Sequence, residues 1–463
     1  DASAFACLDA TPDDCSLRGA IRAANQDGVD SEVILPDGLY RLTLEGPNDD
    51  GNLTGDLDVF FDGLTLRSAP GSHPVIEQVT DDRILHYHAN FGDMVLQGPM
   101  TLLGGFAHNT GGFEAGGSVN FFRSGSFTVT GVDFVGGFAP DDGGCLEYAA
   151  PTTAGVLRLT DVTFTGCEAE GRGGAFLLQT ADTLVTLDRV RSEGNTAGQD
   201  GGGGAIFAGS PTVVIERSTF VDNLAAASFT NANEAGGLFL GSGSFSILES
   251  TISRNTVGRA GGGSASGGGI FIQNGLLLLR NSTLSENRAF ASFTRGADLD
   301  AQSSSLGFEF VTLSADESGS PGSVALNAST SLDVFASVIR GSCTGAGTIT
   351  SEGFNVERPL GGATTTQCNL VHAGDVLTTD PLLKPLAGYG GPTPTHAVLP
   401  AAAGITFLVS SPSCPATDQR GALRNGLFCH SGAVEAGVKP PGRWIFSDGF
   451  ESGDTAAWSA TDP

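Results

Sequence analysis

The sequence predicts an all-β fold: a right-handed parallel β-helix (solenoid) with a short N-terminal capping helix and an irregular, disulfide-containing C-terminal region. Three observations carry that expectation. A side-chain pattern recurs with a period near 30 residues, 68 of the 463 residues are glycine, and the segments between repeat markers are strand-length apolar runs. Glycine usually makes up about 7% of a chain. The repeat places an apolar residue three positions before an asparagine, at Phe220 to Asn223, Ile252 to Asn255 and Leu284 to Asn287. Asn195 and Cys167 occupy the same slot, so the intervals from 167 run 28, 28, 32 and 32 residues. A glycine pair before a small or apolar residue keeps the same period, at Cys145, Ala175, Ala205, Leu238 and Ile270. One such unit cannot bury its own inward side chains, whereas stacked units bury a continuous column.

The elements follow in order. Residues 1–45 read as an N-terminal cap and first strands. Within them Ser16 to Asn25 is amphipathic, with Leu17, Ala20, Ile21 and Ala24 at helical spacing and Asp14 or Ser16 able to cap the start. Such a helix is expected to cover the open end of the solenoid. Residues 46–342 read as coils, with runs such as Leu184 to Leu187 and Val213 to Ile215 and no helical period. Residues 343–442 are rich in proline and glycine and hold four cysteines, and 443–463 form a tail with both tryptophans. The repeating Asn195, Asn223, Asn255 and Asn287 are expected to form a structural ladder in which each amide bonds the next coil. Asparagine also tolerates the left-handed backbone of tight corners.

Composition narrows the function. With 51 acidic and 23 basic residues the formal charge is -28, which repels phosphate and argues against nucleic acid and anionic membranes. No apolar run approaches the roughly 18 residues of a membrane-spanning helix. The eight cysteines fall as neighbours, Cys7 with Cys15, Cys145 with Cys167, Cys343 with Cys368 and Cys414 with Cys429, and none forms a C-x-x-C pair. That pattern predicts four short-loop disulfides and an oxidising compartment. A chain beginning at Asp1 reads as processed, so it is expected to be secreted, extracellular or displayed on a cell surface.

Residues able to carry chemistry are few. Asp141 and Asp142 sit beside a glycine corner, and Asp49, Asp50, Asp56 and Asp58 cluster near the start. Both groups read as solvated acidic loops. No EF-hand pattern occurs, so no cofactor is expected beyond loose calcium binding. His86 and His88 would share a strand face, as two metal ligands do. No third ligand stands near them in sequence, so they read as an ordinary surface or core pair. No G-x-S-x-G elbow or G-K-[ST] loop occurs.

Cys15-Ser16-Leu17-Arg18-Gly19-Ala20-Ile21 resembles the C-S-L-R-E-A signature of exported bacterial β-helix proteins, with Gly19 in place of the usual acid. Gly55 to Val59 is similar to the G-D-L-D-I strand of that group. The F-x-x-N and G-G-A-I coils resemble polymorphic outer-membrane-protein repeats. Asp380 to Leu383, Gly390 to His396 and Asp418 to Gly421 also fit, and Asp448 to Asp454 with Trp458 resembles a tail of exported proteobacterial proteins. The resemblance implies an exported β-helix, mostly of surface or secreted molecules.

The expected function is a secreted or cell-surface structural, adhesin-like solenoid without catalytic activity. Its expected partners are the chain itself, as a homopolymeric fibre, or surface glycans. Trp444, Phe446, Phe450 and Trp458 in the tail are candidate assembly residues. The alternative is a polysaccharide lyase or glycoside hydrolase whose carboxylates converge only in three dimensions.

Overall fold

The computed structural model describes residues 15–46, 51–60, 63–88, 92–107, 115–122, 125–150, 155–180, 184–208, 212–226, 232–260, 262–315, 322–381, 383–398, 408–410, 414–424, 428–438 and 440. Residues Asp49, Asp50, Cys7, Trp444, Phe446, Phe450 and Trp458 lie outside them.

One coil shows how the chain is wound. Leu146–Ala150 joins an 11-stranded parallel sheet, and Val156–Thr160 and Thr163–Thr165 both join a 23-stranded sheet. Glu168–Ala169 joins a 6-stranded one before the chain returns to the first sheet at Phe176–Thr180. Successive coils pair in parallel, Leu146 beside Phe176, Val156 beside Leu184 and Thr163 beside Arg191. The protein is a right-handed parallel β-helix, and its inward side chains form one continuous core from Leu17 to Leu370. Aromatic rings stack along that core, Tyr87 on Phe121 at 4.5 Å, Phe121 on Tyr148 at 5.0 Å and Phe134 on Phe164 at 4.8 Å. Stacking at coil spacing favours phenylalanine, which carries no polar atom to satisfy inside.

Leu17–Asp27 forms the single α-helix described, α1. Ser16 Oγ accepts from the Gly19 N–H at 3.0 Å, and Gly28 closes the helix in the left-handed conformation. Leu17 and Ile21 enter the core. Asn25 stands against Leu57–Val59, the outermost strand of the 11-stranded sheet. Its amide donates to Asp58 O at 2.7 Å and accepts from Phe60 N–H at 3.2 Å. Arg18, also buried, donates to the carbonyls of Thr54, Gly55 and Asp56. One amide and one guanidinium therefore supply bonds that a further coil would have made.

The repeated asparagines are buried and bonded to one another. Asn255 donates from its backbone N–H and its Nδ2 to Asn287 Oδ1, at 3.1 and 3.0 Å, and from Nδ2 to Phe220 O. Its own Oδ1 accepts the same pair of bonds from Asn223, which does likewise for Asn195. The Cys167 N–H starts the row on Asn195 Oδ1 at 2.8 Å, and Asn287 ends it on Asp298 Oδ1. The left-handed residue at this corner is not the asparagine but the one before it: Gly194, Asp222, Arg254 and Glu286 all have φ between 53° and 63°. The asparagine is thereby left free to point inward along the stack. A second row, Ser218, Ser250 and Ser282, passes each backbone N–H to the next hydroxyl.

Three disulfides are described: Cys145–Cys167, Cys343–Cys368 and Cys414–Cys429. Cys15 is also disulfide-bonded. Beyond the coils the chain doubles back as a strap over the Thr251–Ser253, Thr283–Ser285 and Thr312–Ser314 strands. Gln419 Nε2 donates to Thr251 Oγ1 and its Oε1 accepts from Thr283 Oγ1; Ser285 meets His396 Nε2 at 2.9 Å, and the Ala433 N–H reaches Thr312 Oγ1. Arg424 is buried over the Phe310 ring and pairs with Glu435 at 3.2 Å.

Replacing Asn255 with Ala strands the donors of Asn223 and the carbonyl of Phe220 in a dry interior. Denaturant unfolding is expected to show a loss of about 1–3 kcal/mol, and an unchanged midpoint would contradict a stabilising role for the ladder.

Candidate functional site

The register of the 11-stranded sheet sets one outward residue of each coil in a row. Asp58 lies beside His86, His86 beside Asn120, and Asn120 beside Glu147. The row continues through Leu177, Ala205, Phe239 and Phe271 to Asp300. Residues entering the sheet add Asp82, Arg83, Asp142, Arg172, Asp200, Glu234 and Arg295 along one flank. The acids lie one or two per coil, so their approach to one another is invisible to a search for local motifs.

Glu147, Asp142, Asp200 and Asp300 have partners within the chain. Asn120 Nδ2 donates to Glu147 Oε2 at 2.7 Å and to Ala115 O at 2.9 Å. Asp142 Oδ1 accepts the Arg172 N–H, and the Arg172 Nε stands 3.3 Å from Asp200 Oδ2. Asp200 Oδ1 accepts the Glu234 N–H at 2.9 Å. Arg295 pairs with fully buried Asp300 at 3.3 Å. Between the polar ends, Leu177, Ala205, Phe239 and Phe271 form a buried apolar cluster with Ala235, and Phe207 packs against it. Arg172 lies over the Phe207 ring at 5.3 Å.

Burial, reinforced by the charge of Asp142, pushes the Glu147 carboxyl up to about 7. Burial together with Asp200 and Asp300 does the same to Glu234, also to about 7. Asp142, Asp200 and Asp300 are raised by burial as well. Perturbed carboxyls of this kind are what acid–base catalysis requires, and equally what a buried acid network produces. Glu147 is only 6% exposed, and its Oε2 is held by Asn120.

Of the acids singled out in sequence, Asp56 and Asp58 are buried at the start of this row and are not solvated loop residues; Asp142 is half-buried on its flank. The two histidines also acquire a neighbour: Asp58 Oδ1 lies 3.5 Å from His86 Nδ1 and 3.6 Å from His88 Nε2. Burial holds the His86 imidazole below the ordinary histidine range. Asp58 is 28 residues from His86, a full coil away, so only the winding brings them together.

The family described as "Right handed beta helix region" matches residues 117–313. No curated protein matches the chain. Among solved structures, the chain is similar to a mannuronic acid specific polysaccharide family 6 lyase from human gut microbiota. The two share 11% identity over 78% of this chain and 89% of that one, with a TM-score of 0.26.

The raised Glu147 carboxyl has a consequence for stability. The folded chain keeps a proton that the unfolded chain releases near pH 4.5, so stability falls as pH rises from there through about 7. The loss from this one group is expected to reach up to about 3 kcal/mol. Glu147→Gln should flatten the stability–pH curve in that window, as read by urea unfolding at stepped pH. Parallel curves for the two proteins would remove Glu147 as the source.

Proposed function

We propose that the protein is a secreted or cell-surface structural and adhesive β-solenoid without catalytic activity. The observation that carries this reading is the sealing of its acid row. Glu147, Asp200 and Asp300 are buried and held by the chain's own amides and arginines, and four apolar side chains fill the sheet face between them. A catalytic acid must touch its substrate, and these acids touch the protein. The disulfides and buried ladders suit a rod that persists outside the cell. Its other faces carry charges paired from coil to coil, as in Arg67 with Glu32 and Arg254 with Asp222. Surface glycans or further copies of the chain are the proposed partners.

The gathering of Glu147, Asp142, Asp200 and Glu234 along one flank favours a second reading, a polysaccharide lyase or glycoside hydrolase. Incubation with polyuronates and neutral glycans, with and without calcium, separates the two. The structural reading expects product levels equal to those of a boiled control. New reducing ends or unsaturated products that disappear in Glu147→Gln would establish the enzyme instead.

Assembly has its own test. The helix α1 closes one end of the stack, so any fibre must use other surfaces, and the tail 443–463 carries Trp444, Phe446, Phe450 and Trp458. Burying each such side chain is worth about 1.5–3 kcal/mol. Light scattering is expected to show a smaller mass after deletion of 443–463. Monomers for both proteins at every concentration would rule out assembly through the tail.

A further inference from the structure

We propose that Asp58, His86 and His88 form a binding site for a first-row divalent cation, with Zn²⁺ the best chemical match. The site is distinct from the acid row's proposed role and does not depend on it. One donor atom from each residue falls within a span of 4.8 Å. Asp58 Oδ1 is 3.5 Å from His86 Nδ1 and 3.6 Å from His88 Nε2. Bonds of about 2.1 Å at tetrahedral angles place ligand atoms about 3.4 Å apart, so both measured edges already suit a four-coordinate ion.

Two of the three donor atoms are also unsatisfied without one. Asp58 Oδ1 and His88 Nε2 are buried and have no hydrogen-bond partner, and the Asp58 side chain is 1% exposed. A direct histidine–carboxylate hydrogen bond would close to about 2.7–2.9 Å; neither contact does. Buried polar atoms left this way are costly, which points to a group that belongs between them. The surroundings hold the donors in place. Asp58 Oδ2 accepts the Asn52 N–H at 3.3 Å, which orients the carboxylate. Such support of a ligand's remaining atoms is typical of metal sites.

Two imidazole nitrogens and one carboxylate oxygen suit Zn²⁺ and its neighbours; calcium prefers six to eight oxygens. His86 and His88 are 22% and 20% exposed, so their rings reach the surface while Asp58 Oδ1 and His88 Nε2 are buried. Asp58 O is the atom that Asn25 of α1 grips, so a cation here would tie the capping helix to the first two coils of the sheet.

The test uses the whole chain, stripped with chelator and equilibrated against Zn²⁺ alone. One tight equivalent is expected, with affinity unchanged in His73→Gln and weakened about 10-fold or more in His88→Gln and Asp58→Asn. Circular dichroism checks that the variants fold. Zn²⁺ should also raise the melting temperature of the wild type, and Co²⁺ should give it the absorption of a four-coordinate site, which needs no variant. No bound Zn²⁺, equal binding by folded His88→Gln, or a six-coordinate Co²⁺ spectrum would each overturn the proposal.

Discussion

Strands of successive coils lie about 4.8 Å apart, so every side chain has its counterpart from the next coil as its nearest neighbour. The rest of the structure depends on that spacing. Rings can stack at it, and do. Amides and hydroxyls can hydrogen-bond at it, which turns Asn195 to Asn287 and Ser218 to Ser282 into buried rows. Where the backbone itself must pass at close quarters, side chains are excluded. A Cβ on Gly174, Gly202 or Gly236 would lie 2.3 to 2.5 Å from the carbonyl oxygen of the next glycine in the track. The glycines of this track are fixed by that repeated contact and not by flexibility.

The same pairing that stabilises each coil leaves raw edges where the stack ends. The N-terminal edge is closed by side chains: Asn25 copies one strand's donor and acceptor, and Arg18 collects three carbonyls. On one lateral face, the C-terminal strap takes up the hydroxyls of Thr251, Thr283, Ser285 and Thr312. Because the strap bonds strands from successive coils, it acts as a brace along the rod. The Asp418 to Gly421 segment is part of that brace: Asp418 receives both the backbone and the guanidinium of Arg420.

Charge follows the same geometry. Arginine reaches across to the neighbouring coil, as Arg189 does to Asp161 and Arg280 to Glu309. These exposed pairs add little stability individually, but they soften the repulsion that a net charge of -28 would otherwise concentrate on stacked coils. The acids of the 11-stranded sheet differ in kind. Glu147, Asp200 and Asp300 are buried, their carboxyls are raised, and they are compensated by amides, arginines and backbone N–H groups. That difference separates a surface coat from an internal network.

The coil architecture was legible in the sequence because the spacing that builds it acts on every repeat alike. The Asn slots, the glycine pairs and the apolar runs carry it, and the neighbouring pairs Cys145–Cys167, Cys343–Cys368 and Cys414–Cys429 are bridged in the structure. The capping helix was legible from its own amphipathic pattern, although the burial of Arg18 and Asn25 was not, since polar residues on a helix read as solvent-facing. What only the tertiary structure decided is which residues of different coils share a neighbourhood. Asp58 joins His86 and His88, and Glu147 joins Asn120 and Asp142, through winding whose exact register depends on loop lengths that vary from coil to coil. A periodic sequence specifies that coils stack; the loops between strands decide which single residues, one coil apart, come to face each other.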